Sequence, residues 1–507
     1  MSIATTSDFE TAPTRPLTMP LVLAAGLVAL ADWLFYGWSV GISLALFLAV
    51  LGGAAILGNR AQPGDNIQTI PAIVLFAGLL PLVEEVNVLS VSVAMVATAM
   101  AAIALTSPQS TSWPRQLLET VTVPFRGPFL LARDTIGALR HMNIWTPGWL
   151  GWLVAWIVPL CVFAIFLTLF SSANPLIENS LMKIDLRKLF DFISPWRLSF
   201  WIFVGCMIWP LIHRRTKTRP PRIPQATPVG TSVVASDLDY LLGTQAMTRS
   251  LVLFNALFAL QTALDATYLW GGAALPDGMT YASYAHRGAY PLIVTALLAA
   301  GFVLMAMRPG GPAEHSRLIR PLVLAWIVQN VLLVISSIFR LDLYIATYSL
   351  TYLRLAAFIW MGLVAAGLLF ILGQIVWRKS TYWLISANAA TLALVLYGCC
   401  FINAPWLVAS YNVEHSREVS GRGKNLDWRY LRCLGPQALP AVERHWEKFP
   451  AFWSTSQCSC IGSTRESFVS SMSSKNWRDW SFRAWRLKRY FANNPMNAPL
   501  PSDSSKG

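Results

Sequence analysis

Charge is scarce in this chain of 507 residues: only 13% are Asp, Glu, Lys or Arg, against roughly a quarter in a soluble globular domain. Acidic residues are the scarcer sign, 25 against 39 basic ones. There is no phosphate-binding glycine loop, no His-Glu-x-x-His and no Gly-x-Ser-x-Gly elbow, and the six histidines are scattered. A soluble-type enzyme mechanism therefore has no footing. Cysteine and histidine offer no metal site either, because Cys458 and Cys460 are too close for the usual ligand spacing and His445 has no companion. Neither a metal nor a cofactor is expected. Cys161, Cys206, Cys399 and Cys400 lie in apolar stretches and read as small apolar residues. Cys433 has two candidate partners, Cys458 and Cys460, if the tail meets an oxidising compartment.

What the chain has in quantity is apolar residues, 55% of the total. They come in blocks about 20 residues long, enough to cross a hydrocarbon core as helices. Long continuous blocks exclude the alternating strands of a membrane barrel. The predicted spans are 18–31, 36–58, 69–83, 86–106, 147–172, 195–213, 246–271, 289–307, 318–338, 353–377 and 383–409. The expected fold is all-α: a polytopic transmembrane helical bundle of about eleven spans with a small helical extracytoplasmic C-terminal domain. The first residues carry Asp8 and Glu10 and no cleavage site follows, so this is not a secretory signal.

A net charge of +14 invites a nucleic-acid partner, and the distribution of the charge argues against one. Fifteen of the 39 Lys and Arg residues lie after residue 410, and most others flank spans. With the N-terminus cytoplasmic, the inside loops collect 17 basic residues, from Arg15 to Lys379, and the outside loops seven. That asymmetry is what short loops require. The partner is the lipid bilayer, with no nucleic acid. The expected layout is a cytoplasmic tail at 1–17, a transmembrane domain at 18–410, an extracytoplasmic helical tail domain at 411–490 and a disordered C-terminus at 491–507. Between the fourth and fifth spans, a basic amphipathic stretch predicts short interfacial helices broken at Pro124 and Pro128. A second such piece at 174–196 reads as a helix in the headgroup layer. The Pro-rich basic loop at 213–230 reads as a topology determinant.

Intramembrane polarity is the remaining signal, because ionisable groups among apolar spans are costly and usually paired or functional. In the seventh span Gln261 and Asp265 are four apart and share a helix face. The next loop contributes Tyr284, His286 and Arg287. In the ninth-to-tenth connection Arg340, Tyr344, Tyr348 and Tyr352 recur every four residues, flanked by Asp342 and Arg354. The candidate site is Asp265, Tyr284, His286, Arg287, Arg340, Asp342, Tyr344, Tyr348 and Arg354, all on the extracytoplasmic side of the predicted topology. Asp32, Glu84 and Glu85 lie on the same side. The acidic groups are expected to neutralise Arg287, Arg340 and Arg354. One role is structural, with Arg and Tyr anchoring helix ends and Asp–Arg pairs fixing register. Another is an outward-facing polar cavity that binds an anionic headgroup or solute through its arginines. Acid–base work by His286 or Asp265 is a third.

These residues carry a resemblance. The chain resembles bacterial integral membrane proteins grouped as a domain of unknown function, the DUF4153/DUF4173 group. The likeness rests on LADWLFYG at 30–37, SANPLIE at 172–178, YLWGG through YASYAHRGAYPLIV, FRLDLYIATYSLTYLRLAAFIWM at 339–361, and YNVEHSRE followed by LDWRYLRCLGPQALP. It covers the chain from the first spans to about residue 440, and after that only DWSFRAWRLKRY at 479–490. It implies the membrane architecture in a bacterial cytoplasmic membrane and no activity. The leading expectation is a non-enzymatic envelope protein that binds or moves a lipid-like or anionic ligand at the outer face. A membrane scaffold or envelope signalling component is the alternative, and a membrane-embedded transferase a second.

Overall fold

The computed structural model describes residues 18–59, 69–106, 113–141, 156, 159, 162–163, 194–213, 244–271, 318–449, 465–473 and 476–495. Among these residues all regular structure is helical. The chain forms two compact units, Met1–Thr218 with Lys475–Arg486, and Arg219–Ser474 with Leu487–Gly507.

In the first unit, α1 (Thr18–Phe35), α2 (Ile42–Asn59), α3 (Thr69–Glu84) and α4 (Val88–Thr106) run up and down. Small residues set their spacing: a Cβ on Gly78 of α3 would lie 2.1 Å from that of Ala97 on α4. Helices packed in lipid use such close approaches because apolar burial alone does not distinguish a neighbour from an acyl chain. Asn87 and Ser90 cap α4 reciprocally, each backbone N–H donating to the other's side chain at 2.9 Å. α6 (Pro195–Ile212) starts with Ser194 as its cap and Pro195 in its first turn. It packs on α1 and α2, and Asn59 donates across to the Leu211 carbonyl at 2.7 Å.

α5 (Trp113–His141) corrects one expectation, since it is a single helix of 29 residues running through Pro124 and Pro128. Each proline costs a backbone hydrogen bond, but tertiary contact outweighs that. Thr120, Gly127 and Asp134, seven apart, are buried, and a Cβ on Gly127 would lie 2.0 Å from the Cys206 carbonyl oxygen of α6. Trp209 Nε1 donates to Asp134 at 3.2 Å.

In the second unit, α7 (Thr244–Asp265) ends in a π-helical turn, Ala266–Trp270. α8 (Ile319–Tyr348), α9 (Tyr352–Val376) and α10 (Thr381–Phe401) follow. α7 and α8 run parallel: Asn255 donates to Leu322 O, Phe258 meets the Trp326 ring edge-on, and Asp265 pairs with Arg340, so matching positions rise together. Two predicted boundaries change. The ninth span, expected to stop at 338, continues as helix to Tyr348. The eleventh, expected at 383–409, breaks at Ile402–Asn403, where Asn403 caps a new helix, α11 (Ala404–Glu414), with Pro405 in its first turn. From α11 onward, short helices form a cap. Val408, Val413, Leu426, Leu431, Leu434, Val442 and Phe449 bury together with Ile345 and Leu350 at the α8–α9 turn.

Among the described residues seven helices are long and apolar enough to cross a membrane, and α3 and most of α4 are shorter apolar helices. α9 shows why lipid is needed. Of its 25 residues Leu368, Gly373 and Ile375 are buried, yet the helix is apolar all round. A helix apolar on every face is stable only inside protein or hydrocarbon. This is a membrane-embedded protein. Nearly all of the expected spans 147–172 and 289–307, the pieces at 174–196 and 213–230, and the two termini (1–17 and 496–507) lie outside the described residues.

Candidate functional site: a buried ion pair and a clamped turn

Asp265 is the last residue of α7 before the π turn, and Arg340 sits two turns from the end of α8. Both lie on the inner stripe of their helices, Asp265 one turn or two from Phe258 and Gln261, and Arg340 in line with Trp326, Asn330, Leu333 and Ser336. The Arg340 Nη2 donates to Asp265 Oδ1, and the side chains are 5% and 0% exposed. Gln261 donates to the same oxygen at 3.0 Å, so the shared face predicted from their spacing is real. Two buried charges are tolerable because each is the other's counter-ion.

The remaining members gather one turn further on. α8 ends at Tyr348, and Ser349 adopts φ 67° and ψ 166°, a backbone conformation nearly reserved for glycine. Side chains hold that turn from several directions. Arg354 donates through Nη1 to the carbonyls of Tyr348, at 2.6 Å, and of Ser349. Asn412 of α11 accepts from Leu350 N–H at 2.7 Å and donates to its carbonyl at 2.9 Å. The Tyr430 hydroxyl accepts from Tyr352 N–H at 3.0 Å. The guanidinium of Arg354 lies 4.5 Å from the Tyr344 ring centroid and 5.9 Å from that of Tyr348, and Lys424 lies 5.0 Å from the latter. The tyrosine stripe is therefore helical only as far as Tyr348, and Tyr352 opens the next helix.

Asp342 is exposed on another face of α8. Its charge, after burial itself, helps to push the Tyr411 phenol above its ordinary value. Tyr284, His286 and Arg287 lie outside the described residues. Of the acidic residues expected to neutralise these arginines, Asp265 does so for Arg340, while Asp32, Glu84 and Glu85 are engaged elsewhere. Asp32 accepts from Arg197 Nε at 2.7 Å and from Trp201 Nε1 at 2.9 Å. Glu84 and Glu85 bind Arg483 at 3.0 and 2.5 Å. Sequence reasoning did not assign Asn412 and Tyr430 a role, although both lie in stretches that carry the family likeness. What those separate motifs share is the α8–α9 turn, where they meet. Cys433 is exposed, with its thiol free among the described residues, and both of its candidate partners, Cys458 and Cys460, lie outside them. Among the described residues no group of three His, Cys, Asp or Glu side chains could hold a metal.

The model of a family described as a domain of unknown function, DUF4153, matches residues 71–445. The chain belongs to this family. The match includes the ion pair, the clamped turn and most of the cap, while α1, α2 and the residues after 445 fall outside it. No curated protein and no solved structure matches the chain.

Proposed function

We propose that this DUF4153 protein is a non-catalytic scaffold of the bacterial cytoplasmic membrane, a helical platform that holds its cap at the extracytoplasmic face. The observation that carries the reading is the use made of the arginines. Arg340 is bound to a buried carboxylate and Arg354 to main-chain carbonyls. An arginine engaged in this way locks helices and a turn. A multi-pass path is supported by the parallel run of α7 and α8, because two parallel neighbours in a membrane need the intervening chain to come back across it. The apolar stretch at 289–307 is long enough to do so. The basic asymmetry of the loops supports the cytoplasmic N-terminus.

A second reading, binding or movement of a polar or anionic ligand, is favoured by the seam between α7 and α8. Asn255 Oδ1, Trp326 Nε1, Gln329 Oε1 and Ser336 Oγ are buried there without a hydrogen-bond partner among the described residues. Unpartnered donors and acceptors in one apolar seam are what a small polar guest, water first of all, would satisfy.

The test is the double replacement Asp265→Leu with Arg340→Met in the full chain. As a scaffold, the double variant regains the folding that either single change loses, and with it the in vivo role of the gene, since an apolar pair of similar volume substitutes for a buried ion pair. A double variant that folds and melts like the wild type but fails to complement a deletion strain would overturn the scaffold and favour the ligand.

A further inference from the structure

One end of the first unit holds a feature that the proposed scaffold does not require. Residues Asn476–Arg486 lie across the α1–α2 and α3–α4 turns as a short 3₁₀ turn, Trp477–Asp479, and the start of the helix Phe482–Asn493. Its buried residues are both arginines, Arg478 and Arg483, whereas Trp477, Phe482 and Trp485 are exposed. Arg478 inserts among three indoles, 4.5 Å from the Trp33 ring centroid, 5.0 Å from Trp38 and 5.2 Å from Trp477. Its Nε has no hydrogen-bond partner among the described residues, and the ring faces take the charge there. Arg483 is 3% exposed and spans two carboxylates, Glu84 and Glu85, with Arg486 3.4 Å from Glu84. The backbone closes the contact: Ile42 N–H donates to the Trp480 carbonyl at 2.9 Å. A Cβ on Gly41 would lie 2.4 Å from the Asp479 carbonyl carbon and 2.6 Å from the Arg478 oxygen.

We propose that this end of the first unit is a peptide socket for an arginine–tryptophan segment, and that the chain's own Trp477–Arg486 is its displaceable ligand. The socket asks for a cation. Glu84 is buried with the segment in place, and emptying the socket takes away the arginines that compensate it and Glu85, which costs free energy wherever the carboxylates stay shielded from water. The anchors are charge and cation–π contacts with few buried apolar groups, so attachment depends on salt as an apolar core does not. Tethering supplies the segment at an effective concentration of about millimolar, which keeps a modest ligand in place while leaving it exchangeable. Trp33, Trp38, Gly41 and the segment all lie outside residues 71–445, and Glu84 and Glu85 within them.

The test uses the full chain in nanodiscs with a fluorescent synthetic peptide of residues 476–486. Arg478→Ala with Arg483→Ala weakens the internal ligand and leaves the socket intact, so the added peptide binds, and high salt weakens it. Wild type binds roughly tenfold or more weakly, because apparent affinity scales with the fraction of empty sockets. Adding Gly41→Val abolishes binding by blocking the backbone approach. A peptide that ignores the double variant, or binds it equally with Val at 41, overturns the proposal. Should the double variant fail to fold, hydrogen exchange decides the matter on Gly41→Val alone. Amides of 476–486 should lose protection relative to wild type, and unchanged protection would sink the idea.

Discussion

Two arginine–aspartate pairs near the ends of apolar helices, one in each unit, sit in different surroundings. In the first unit Asp32 and Arg197 are 14% and 19% exposed, and the Arg197 guanidinium also lies 4.9 Å from the Tyr36 ring and 5.7 Å from Trp201. Trp201 donates a further hydrogen bond to Asp32, and Tyr36 bonds to Ser194 at 3.0 Å. In the second unit Asp265 and Arg340 lie inside the α7–α8 contact, 0% and 5% exposed. Either member of the first pair retains solvent, an aromatic face or an indole when its partner is removed. Removing a member of the second takes the counter-ion from a charge buried inside the α7–α8 contact. The same residue types therefore anchor a helix end in one unit and constrain helix register in the other.

The largest expected effect follows from that contrast. Asp265→Asn or Arg340→Met should each cost about 3–5 kcal/mol, the usual result of stranding a buried charge. Asp32→Asn should cost markedly less, and thermal unfolding of the purified variants in one detergent measures both. Equal losses would mean that exposure does not separate the two pairs. The clamped turn comes next. Arg354→Ala or Asn412→Ala leaves main-chain carbonyls or amides of residues 348–350 without their partners, at about 1–3 kcal/mol each. Ser349→Gly should act in the opposite direction and raise stability by about 1 kcal/mol, since glycine adopts this backbone conformation without the strain serine carries. It should also recover part of the loss in Arg354→Ala. If Ser349→Gly destabilises instead, the turn is not strained and the clamp has some other role.

Much of this was legible in the sequence, for reasons that also explain the misreadings. Apolar blocks of bilayer length located the described apolar helices, and the four-residue spacing of Gln261 and Asp265 put them on one face, where they hydrogen-bond. The polar run from Phe339 to Thr351 read as a connection because charge and tyrosine interrupt the apolar pattern. It is nevertheless helical to Tyr348, since Arg340 has a buried counter-ion on a helix distant in sequence. Pro124 and Pro128 read as breaks because propensity is local, while the close approach of Gly127 to α6 is not. Counter-ions were the least legible element. Carboxylates on one side of a predicted topology were pooled with the arginines there, and nothing in spacing says that Glu84 and Glu85 belong to Arg483, some 400 residues away. Asn412 and Tyr430 were visible as parts of recurring motifs, but their role needed the turn they hold.

The smallest expected effect concerns a third carboxylate–arginine pair, outside the spans. Glu443 Oε1 lies 2.9 Å from Arg465 Nη1, with side-chain exposures close to those of Asp32 and Arg197. Burial pushes the Glu443 carboxyl above its ordinary value of 4.5, and the charge and hydrogen bond of Arg465, with a hydrogen bond from Tyr490, only partly oppose this. Tyr490 is raised too, by burial first and then by the neighbouring carboxylate. An acid whose folded pKa exceeds its unfolded one keeps its proton in the native state after the unfolded chain has released it. The native state then binds more protons, so this group's contribution is fully present below pH 4.5 and is lost as pH rises through the raised value. Glu443→Gln should remove that downward slope, read as the melting temperature followed from about pH 4 to about pH 7. A variant whose curve keeps the wild-type slope would show that the ion pair with Arg465 outweighs burial. Glu443 would then join Asp32 as a carboxylate whose role is to hold an arginine.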